Sequence, residues 1–457
     1  MLNKKTVRLY YWLVLEFFKK HLKYILLSFL LSLVTIFVII SLSPFIQSYI
    51  FTKHDVIGMA GQYDINNLPD DITFKISNGL IFINDKGELV PSLASTWQFD
   101  NTGRKYTFKL RDNLVWNDGQ EFSAYDIDYK FVDVQSKVID KNTITFFLKN
   151  PLPIFPTYLK KPIFKYPLVG IAGVYKVESM RMEYGNIKEL TLVPNKKGLH
   201  TLVYKFYDDE GQVITAYKRG EINEMQISKP SVAQDFSKWK NSTVERNVDY
   251  SRLMTLFFNM NTPIWKDAKD KEVRQAIRNL INQEKFKDMG VEAVGSINPL
   301  SWAYDEDLKR NVYDPESAEK LLKKLNIATS SATFNFNTSY DNFAAADEIV
   351  TSFQKVGLKI NQNFVSSASD TDFDFLLAYW KTPVDPDQYY FWHQKQRGKG
   401  NITGYNRPKI DKLLEDGRKT TSVDERKKIY LEFEKTLLDD PPAVFLFYPY
   451  IYTVKRK

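Results

Sequence analysis

Apolar and polar positions alternate with a period of two in three stretches of the first half: Lys105-Tyr106-Thr107-Phe108-Lys109-Leu110, Thr143-Ile144-Thr145-Phe146-Phe147-Leu148 and Leu190-Thr191-Leu192-Val193. Alternate side chains of a strand point to opposite faces, so each stretch predicts a half-buried strand. The second half changes period. From Asp270 to Phe286, the residues Val273, Ala276, Ile277, Leu280 and Ile281 recur at helical spacing and predict one amphipathic helix. Asp314-Pro315 reads as a cap followed by a proline in the first turn, ahead of Ala318, Leu321, Leu322 and Leu325. Pro408 to Glu415 and Val423 to Leu438 predict two more amphipathic helices, and Ala443 to Tyr448 a final apolar strand. No repeat or low-complexity linker interrupts the pattern. Strands lead, helices follow, and one late strand returns. The expectation is an α/β protein with discontinuous domains.

One run fits neither period. Tyr24 to Thr52 carries no charge, and Ile25 to Leu42 is almost wholly apolar. A bilayer core needs roughly 20 such residues, and backbone in lipid must be helical. We expect a transmembrane helix over 24–46, with Pro44 marking its end. Residues 1–52 hold six bases (Lys4, Lys5, Arg8, Lys19, Lys20, Lys23) and one acid, Glu16. All the bases precede the span, so residues 1–23 should be cytoplasmic and the rest extracellular or periplasmic. Residues 9–18 are apolar enough for an interfacial amphipathic helix. A cleaved signal peptide is the alternative. Its apolar region is usually about 7–15 residues and ends in small residues; this run is longer and no Ala-x-Ala follows it.

Composition narrows the chemistry. The 457 residues are 44% hydrophobic and 26% charged, which are ordinary globular values. The net charge of +8 is not a nucleic-acid signature, because residues 1–52 contribute +5 and the rest only +3. Cysteine is absent. That excludes a disulfide framework, a cysteine nucleophile, thiolate metal sites and a lipid-modified N-terminal cysteine. The four histidines, His21, His54, His200 and His393, are scattered.

Specific motifs begin at Leu89-Val90-Pro91-Ser92-Leu93-Ala94-Ser95-Thr96-Trp97. Gly103-Arg104-Lys105-Tyr106-Thr107-Phe108-Lys109-Leu110-Arg111, Trp116-Asn117-Asp118-Gly119 and Phe122-Ser123-Ala124-Tyr125-Asp126-Ile127 follow. This succession resembles the signature of the family 5 extracellular solute-binding proteins, the oligopeptide, dipeptide and nickel-chelate receptors of ABC importers. Further segments fall in that family's order: Gly170-Ile171-Ala172-Gly173-Val174-Tyr175, Gly220-Glu221-Ile222-Asn223, Val273-Arg274-Gln275-Ala276-Ile277, Tyr313-Asp314-Pro315-Glu316, Ala378-Tyr379-Trp380 and Asp440-Pro441-Pro442. The likeness covers about residues 55–450. It implies a two-lobed periplasmic-binding-protein-like fold with an extra subdomain. Lobe one would be 55–250 plus 443–457, with 76–169 as the extra subdomain, and lobe two 251–442.

The resemblance also implies a function and a site. The chain would bind a peptide or small solute between two closing lobes and deliver it to ABC permease subunits, with no cofactor. Ile72 and Thr73, on a first-lobe strand, should face the ligand backbone, as should Ala378, Tyr379 and Trp380 in the second lobe. Asn401 and Tyr405 would lie near the same cleft. Trp380 could equally be a core aromatic and Tyr405 a packing residue. One departure stands out. Peptide-binding relatives commonly carry Trp-x-x-Asp-Tyr-Pro-Asp-Pro, whose first Asp pairs with the ligand ammonium. Here Trp380-Lys381-Thr382-Pro383-Val384-Asp385-Pro386 is one residue shorter, and Thr382 or Pro383 stands where that Asp would be. Lys381 adds a positive charge, and Asp385 is the remaining candidate counter-charge.

Competing classes have less support. Gly-x-Ser-x-Gly, His-Glu-x-x-His and the P-loop pattern are absent, so a membrane-anchored extracellular hydrolase has no motif. Asp370-x-Asp372-x-Asp374 lacks the glycine and terminal glutamate of a calcium loop. A membrane-tethered peptide sensor or chaperone would share the fold.

Overall fold

The computed structural model describes residues 4–51, 54–84, 86–100, 102–262, 270–327, 333–366 and 373–457. Helix α1 (Lys4–Phe51) precedes strand β1 (His54–Ala60) and helix α2 (Asp70–Ile76). Six strands follow: β2 (Ile81–Ile83), β3 (Leu89–Pro91), β4 (Ala94–Phe99), β5 (Lys105–Leu110), β6 (Val134–Asp140) and β7 (Thr143–Leu148). Next come β8 (Tyr175–Glu183), β9 (Asn186–Pro194), β10 (Thr201–Tyr207), α3 (Glu210–Arg219), β11 (Glu224–Ile227), α4 (Pro230–Ser237) and β12 (Ser242–Val248). The second half holds β13 (Arg252–Phe258), α5 (Asp270–Asn279), β14 (Gly290–Glu292), α6 (Pro315–Lys324), β15 (Thr333–Thr338) and α7 (Phe343–Lys355). It ends with β16 (Lys359–Phe364), β17 (Phe375–Lys381), α8 (Tyr389–Trp392), α9 (Pro408–Lys419), α10 (Val423–Asp439) and β18 (Ala443–Arg456).

The alternating stretches form β5, β7 and part of β9, as their period requires. Asp314 caps α6 by accepting the Ser317 N–H at 3.0 Å. The helix expected over 270–286 stops at Asn279, and a 3₁₀ turn covers Gln283–Phe286. The Asn282 side chain accepts from the Glu284 N–H and so starts the new turn. Its apolar residues stay in one core nonetheless: Val273, Ala276, Ile277, Leu280 and Ile281 are all buried. Helix α1 passes through Pro44 instead of ending there. A proline removes one backbone donor but does not bar helical angles beyond it. Tyr10–Val38 is long and apolar enough to cross a membrane, and none of its most apolar window is buried.

Strand order along the main sheet is β16-β15-β17-β13-β18-β11-β1-β10-β9-β8, with β12 and β14 also on β18. Two half-sheets therefore share one long strand. We use lobe two for the β13–β17 half and lobe one for the β1 and β8–β12 half. In lobe two, one core on Met254, Leu256, Phe336 and Leu377 covers one face, and another on Phe257, Leu376, Trp392 and Phe445 the other. Lobe one has its own pair of cores. A separate four-stranded sheet, β4-β5-β7-β6, closes around Phe108, Phe146, Trp116 and Phe155. Trp97 stacks on Phe108 and Trp116 meets Phe122 edge-on, so both signature tryptophans pack in this subdomain.

The pairing of β18 corrects one boundary. Sequence assigns 443–457 wholly to lobe one. Val444 and Phe445 pair instead with β13, while Tyr450 to Arg456 pair with β12 and β11. The apolar run ends at Pro449, but that proline sits opposite Gly290 of the short edge strand β14, where a missing donor is tolerated. The chain crosses between half-sheets there and at 249–251, where the Asp249 N–H donates to Pro449 O at 2.9 Å.

Candidate functional site

Antiparallel β13 and β17 set Arg252 opposite Lys381, Leu253 opposite Trp380 and Met254 opposite Tyr379. Trp380 and Ala378 therefore face one lobe-two core and Tyr379 the other. Parallel β15 and β17 end on the same side, and open α/β sheets offer ligands the carboxyl ends of such strands. A cavity of about 200 Å³ lies along the face of β17 that carries Leu376, Ala378 and Trp380, and Tyr379, Phe391, Ile402 and Thr403 also line it. A second cavity of about 350 Å³ lies between regions distant in sequence. Phe74, Asn78 and Phe82 line it from one side, Trp302, Val384 and Asp385 from the other. The segment 378–385 thus contributes to both.

Other contacts mark the same junction. The Tyr158 hydroxyl of the subdomain donates to Asp387 Oδ2 at 3.4 Å. Gly87 lies so close to the Trp302 indole that a Cβ there would clash. Tyr63 of lobe one is held above the usual phenol range by burial and by Asp71, against the opposing pull of Arg252 from lobe two.

Each expected residue has a definite place. Ile72 and Thr73 lie on α2, not on a strand. Their N–H groups already donate to Pro69 O, so neither can extend a sheet, and Ile72 is fully buried beside Leu68 and Phe206. The acids Asp70 and Asp71 after Pro69 are the helix-start signal that points to this. Glycines 170 and 173 sit so close to the backbone at Ile76 that a side chain on either would collide with it. Phe74, on the same helix, reaches the larger cavity.

In lobe two, Tyr379 is half-buried, and the Arg252 guanidinium carbon lies 5.2 Å from its ring centre. Trp380 packs edge-on against Phe391 and Trp392. Lys381 is exposed. Thr382 is buried; its hydroxyl donates to Tyr250 O at 3.1 Å and accepts from Asn298 Nδ2 at 3.0 Å. Asp385 is committed to Arg426 Nη2 at 3.1 Å and accepts the Asp387 N–H at 3.0 Å. Asp387 takes Arg418 Nε on both oxygens, at 2.8 and 3.0 Å, yet burial holds its carboxyl above the usual range. Asn401 is buried and ties together Trp392 O, His393 O and Tyr405 O. The buried Tyr405 donates to Asp440 O at 2.9 Å. These two hold the 400–405 loop, whose cavity-lining members are Gly400, Ile402 and Thr403. Asp370 and Asp372 lie outside the described residues, and Asp374 accepts the Asn335 N–H at 2.9 Å within the sheet.

Residues 88–401 match the model of the bacterial extracellular solute-binding proteins, family 5, middle. That is more than half of the chain. The chain belongs to the family 5 solute-binding proteins. This solute-binding protein is 21% identical to the dipeptide-binding protein of Escherichia coli, over 81% of its own length and 83% of the relative's. It is 24% identical to the oligopeptide-binding protein AppA of Bacillus subtilis, over 55% of its length and about half (51%) of that relative. Its fold superposes on NikZ of Campylobacter jejuni, solved with Ni(L-His), with a TM-score of 0.72 at 23% identity over 89% and 94% of the two chains. Bacillus subtilis AppA, solved with a nonapeptide, gives 0.68 at 20% identity over the same shares. The α/β solute-binding fold expected from the motifs is the one found.

Sequence reasoning missed Tyr63, Phe74, Trp302 and Arg252 in this solute-binding protein. No motif marks them. Folding alone brings Phe74 and Trp302 together on the larger cavity, and sets Arg252 over the Tyr379 ring and within electrostatic reach of Tyr63.

Proposed function

We propose that this solute-binding protein is the extracytoplasmic receptor of an ABC importer and captures a peptide or peptide-sized solute between its two lobes. The observation that carries the reading is the position of Ala378-Tyr379-Trp380 at the carboxyl end of β17, on one cavity and next to a second that lies between the lobes. An extended ligand there would meet strand-end backbone, which recognises amide groups without regard to side-chain identity. The crossings at Asp249–Ser251 and Tyr448–Tyr450 act as the hinge. Ligand affinity for the closed state drives closure. Tyr158 on Asp387 and Gly87 on Trp302 belong to that closed arrangement. Helix α1 tethers the receptor in the membrane, its basic end inside the cell. This takes over the role of a lipid anchor in a chain without cysteine. The names of the relatives support peptide as the ligand class.

Native mass spectrometry of the full-length chain released from detergent micelles tests the reading. The expected result is a co-purified or added peptide bound at one per chain. Failure of peptides of two to nine residues to bind at any concentration would overturn it.

A further inference from the structure

Four apolar side chains line the larger cavity and stay open to it: Phe74 is 43% exposed, Phe82 48%, Leu300 60% and Val384 47%. They come from separate parts of the fold. Phe74 lies on α2 of lobe one, Phe82 on β2, and Leu300 and Val384 in lobe two. Apolar residues scattered singly on a surface need no explanation, but several left open together mark an interaction site. Water covers such walls poorly, because a cavity holds water where polar groups bind it.

Closure of the lobes does not cover these side chains. The walls already meet, since Gly87 lies against the Trp302 indole with no room for a Cβ, and Tyr158 reaches Asp387. Those contacts block further approach. About 350 Å³ remains between the walls, a size within the range of ligand pockets, roughly 300–1,000 Å³. The group that covers the four side chains therefore comes from outside the chain.

The charges on the same walls are unequal. Asp385 is paired with Arg426. Glu88, beside the cavity, accepts the Asn84 amide at 2.8 Å. Lys160 lines the cavity from the 3₁₀ turn Phe155–Lys160 and has no acidic partner among the described residues. The chemistry that fits is an apolar group with one negative charge close to it. In a peptide the last residue has both, because its side chain and its carboxylate leave the same carbon.

We propose that the larger cavity takes a bulky apolar C-terminal residue of a peptide: the side chain packs against Phe74, Phe82, Leu300 and Val384, and the carboxylate meets Lys160. The inference rests on the receptor reading above and narrows its ligand.

Calorimetry on the full-length chain in detergent micelles tests it with four probes: Ala-Ala-Phe, Ala-Ala-Gln, Ala-Ala-Ala and the C-terminal amide of Ala-Ala-Phe. Burial of the phenyl group should make Ala-Ala-Phe bind at least about tenfold more tightly than Ala-Ala-Gln or Ala-Ala-Ala. The amide should bind about fivefold more weakly than the acid, as for one ion pair partly open to water. Phe82→Gln and Leu300→Gln, one on each wall, should each cut the preference for Ala-Ala-Phe over Ala-Ala-Gln at least about threefold. Lys160→Gln should abolish the difference between acid and amide. All three variants replace exposed side chains, and a thermal melt checks that each is folded. Equal binding of Ala-Ala-Phe and Ala-Ala-Gln overturns the inference while the receptor reading stands. So does a preference unchanged in both wall variants, or an acid–amide difference that survives Lys160→Gln. If no tripeptide binds, the same four C-termini are tested on nonapeptides; failure at both lengths overturns the receptor reading as well.

Discussion

Glu434 and Ser296 meet inside lobe two: the Ser296 hydroxyl donates to Glu434 Oε2 at 3.0 Å, and its N–H donates to Oε1. The contact continues outward. Ser296 O accepts from Gln388 Nε2 at 2.9 Å, and Gln388 Oε1 accepts the Trp392 indole N–H at 2.7 Å. Trp392 lines the smaller cavity. A buried acid is thus joined to the candidate site by four consecutive polar groups.

Burial pushes Glu434 up to about 7, although both Ser296 bonds favour its charged form. The folded state therefore binds this proton more tightly than the unfolded chain, whose value is near 4.5. The resulting stability is full below about pH 4.5 and is lost as the pH rises to about 7. The shift corresponds to about 3 kcal/mol. Glu434→Gln keeps an acceptor for Ser296 and removes the charge. Its Tm relative to the parent should rise from pH 5 to about pH 7 and level off above it. A constant difference across that range would show that Glu434 does not titrate in the folded protein.

Tyr158 joins the subdomain to lobe two through Asp387. If that bond belongs to the closed state, Tyr158→Phe should destabilise closure by about 1 kcal/mol. Peptide affinity would then fall about fivefold, with little change in Tm. Equal affinity in calorimetry would remove the bond from the closing mechanism.

Arg426 is buried, pairs with Asp385 and lies 5.0 Å from the Trp302 ring centre. Arg426→Met leaves the Asp385 charge without its partner. The expected cost is roughly 3–5 kcal/mol in urea denaturation. Adding Asp385→Asn should restore part of it, because the stranded charge is gone. A double variant no more stable than Arg426→Met would mean that packing on Trp302, not the ion pair, is what Arg426 supplies.

Gly170 lies against the backbone at Ile76, which ends α2. A methyl group there must displace that backbone, so Gly170→Ala should destabilise by about 1–3 kcal/mol. Because α2 carries Phe74 to the larger cavity, ligand affinity should fall as well. Wild-type melting of this variant would show that the contact yields freely.

Helix α1 is expected to hold the chain in the bilayer uncleaved. Alkaline carbonate extraction should leave it in the membrane pellet, and the intact mass should include residues before Tyr24. A soluble product starting beyond residue 46 would identify α1 as a signal peptide instead.

The amino-acid sequence alone determined whatever depends on near neighbours. The strand period of β5 and β7, the cap at Asp314 and the uncharged run after Tyr24 are local patterns, and each forms the element it predicts; the apolar face from Val273 to Ile281 is buried as its period requires, although the helix itself ends at Asn279. The succession of short motifs placed the family. Tertiary structure decided the rest, because the deciding contacts join residues far apart in the chain. Asp385 finds Arg426 across 41 positions, and Tyr158 finds Asp387 across 229. Ile72 could be read as strand until α2 used its N–H group and the lobe-one core buried its side chain. β18 could be assigned to one lobe until its two halves paired with different strands. Arg252 and Lys381 are 129 positions apart in the chain, and only the β13–β17 register makes them neighbours.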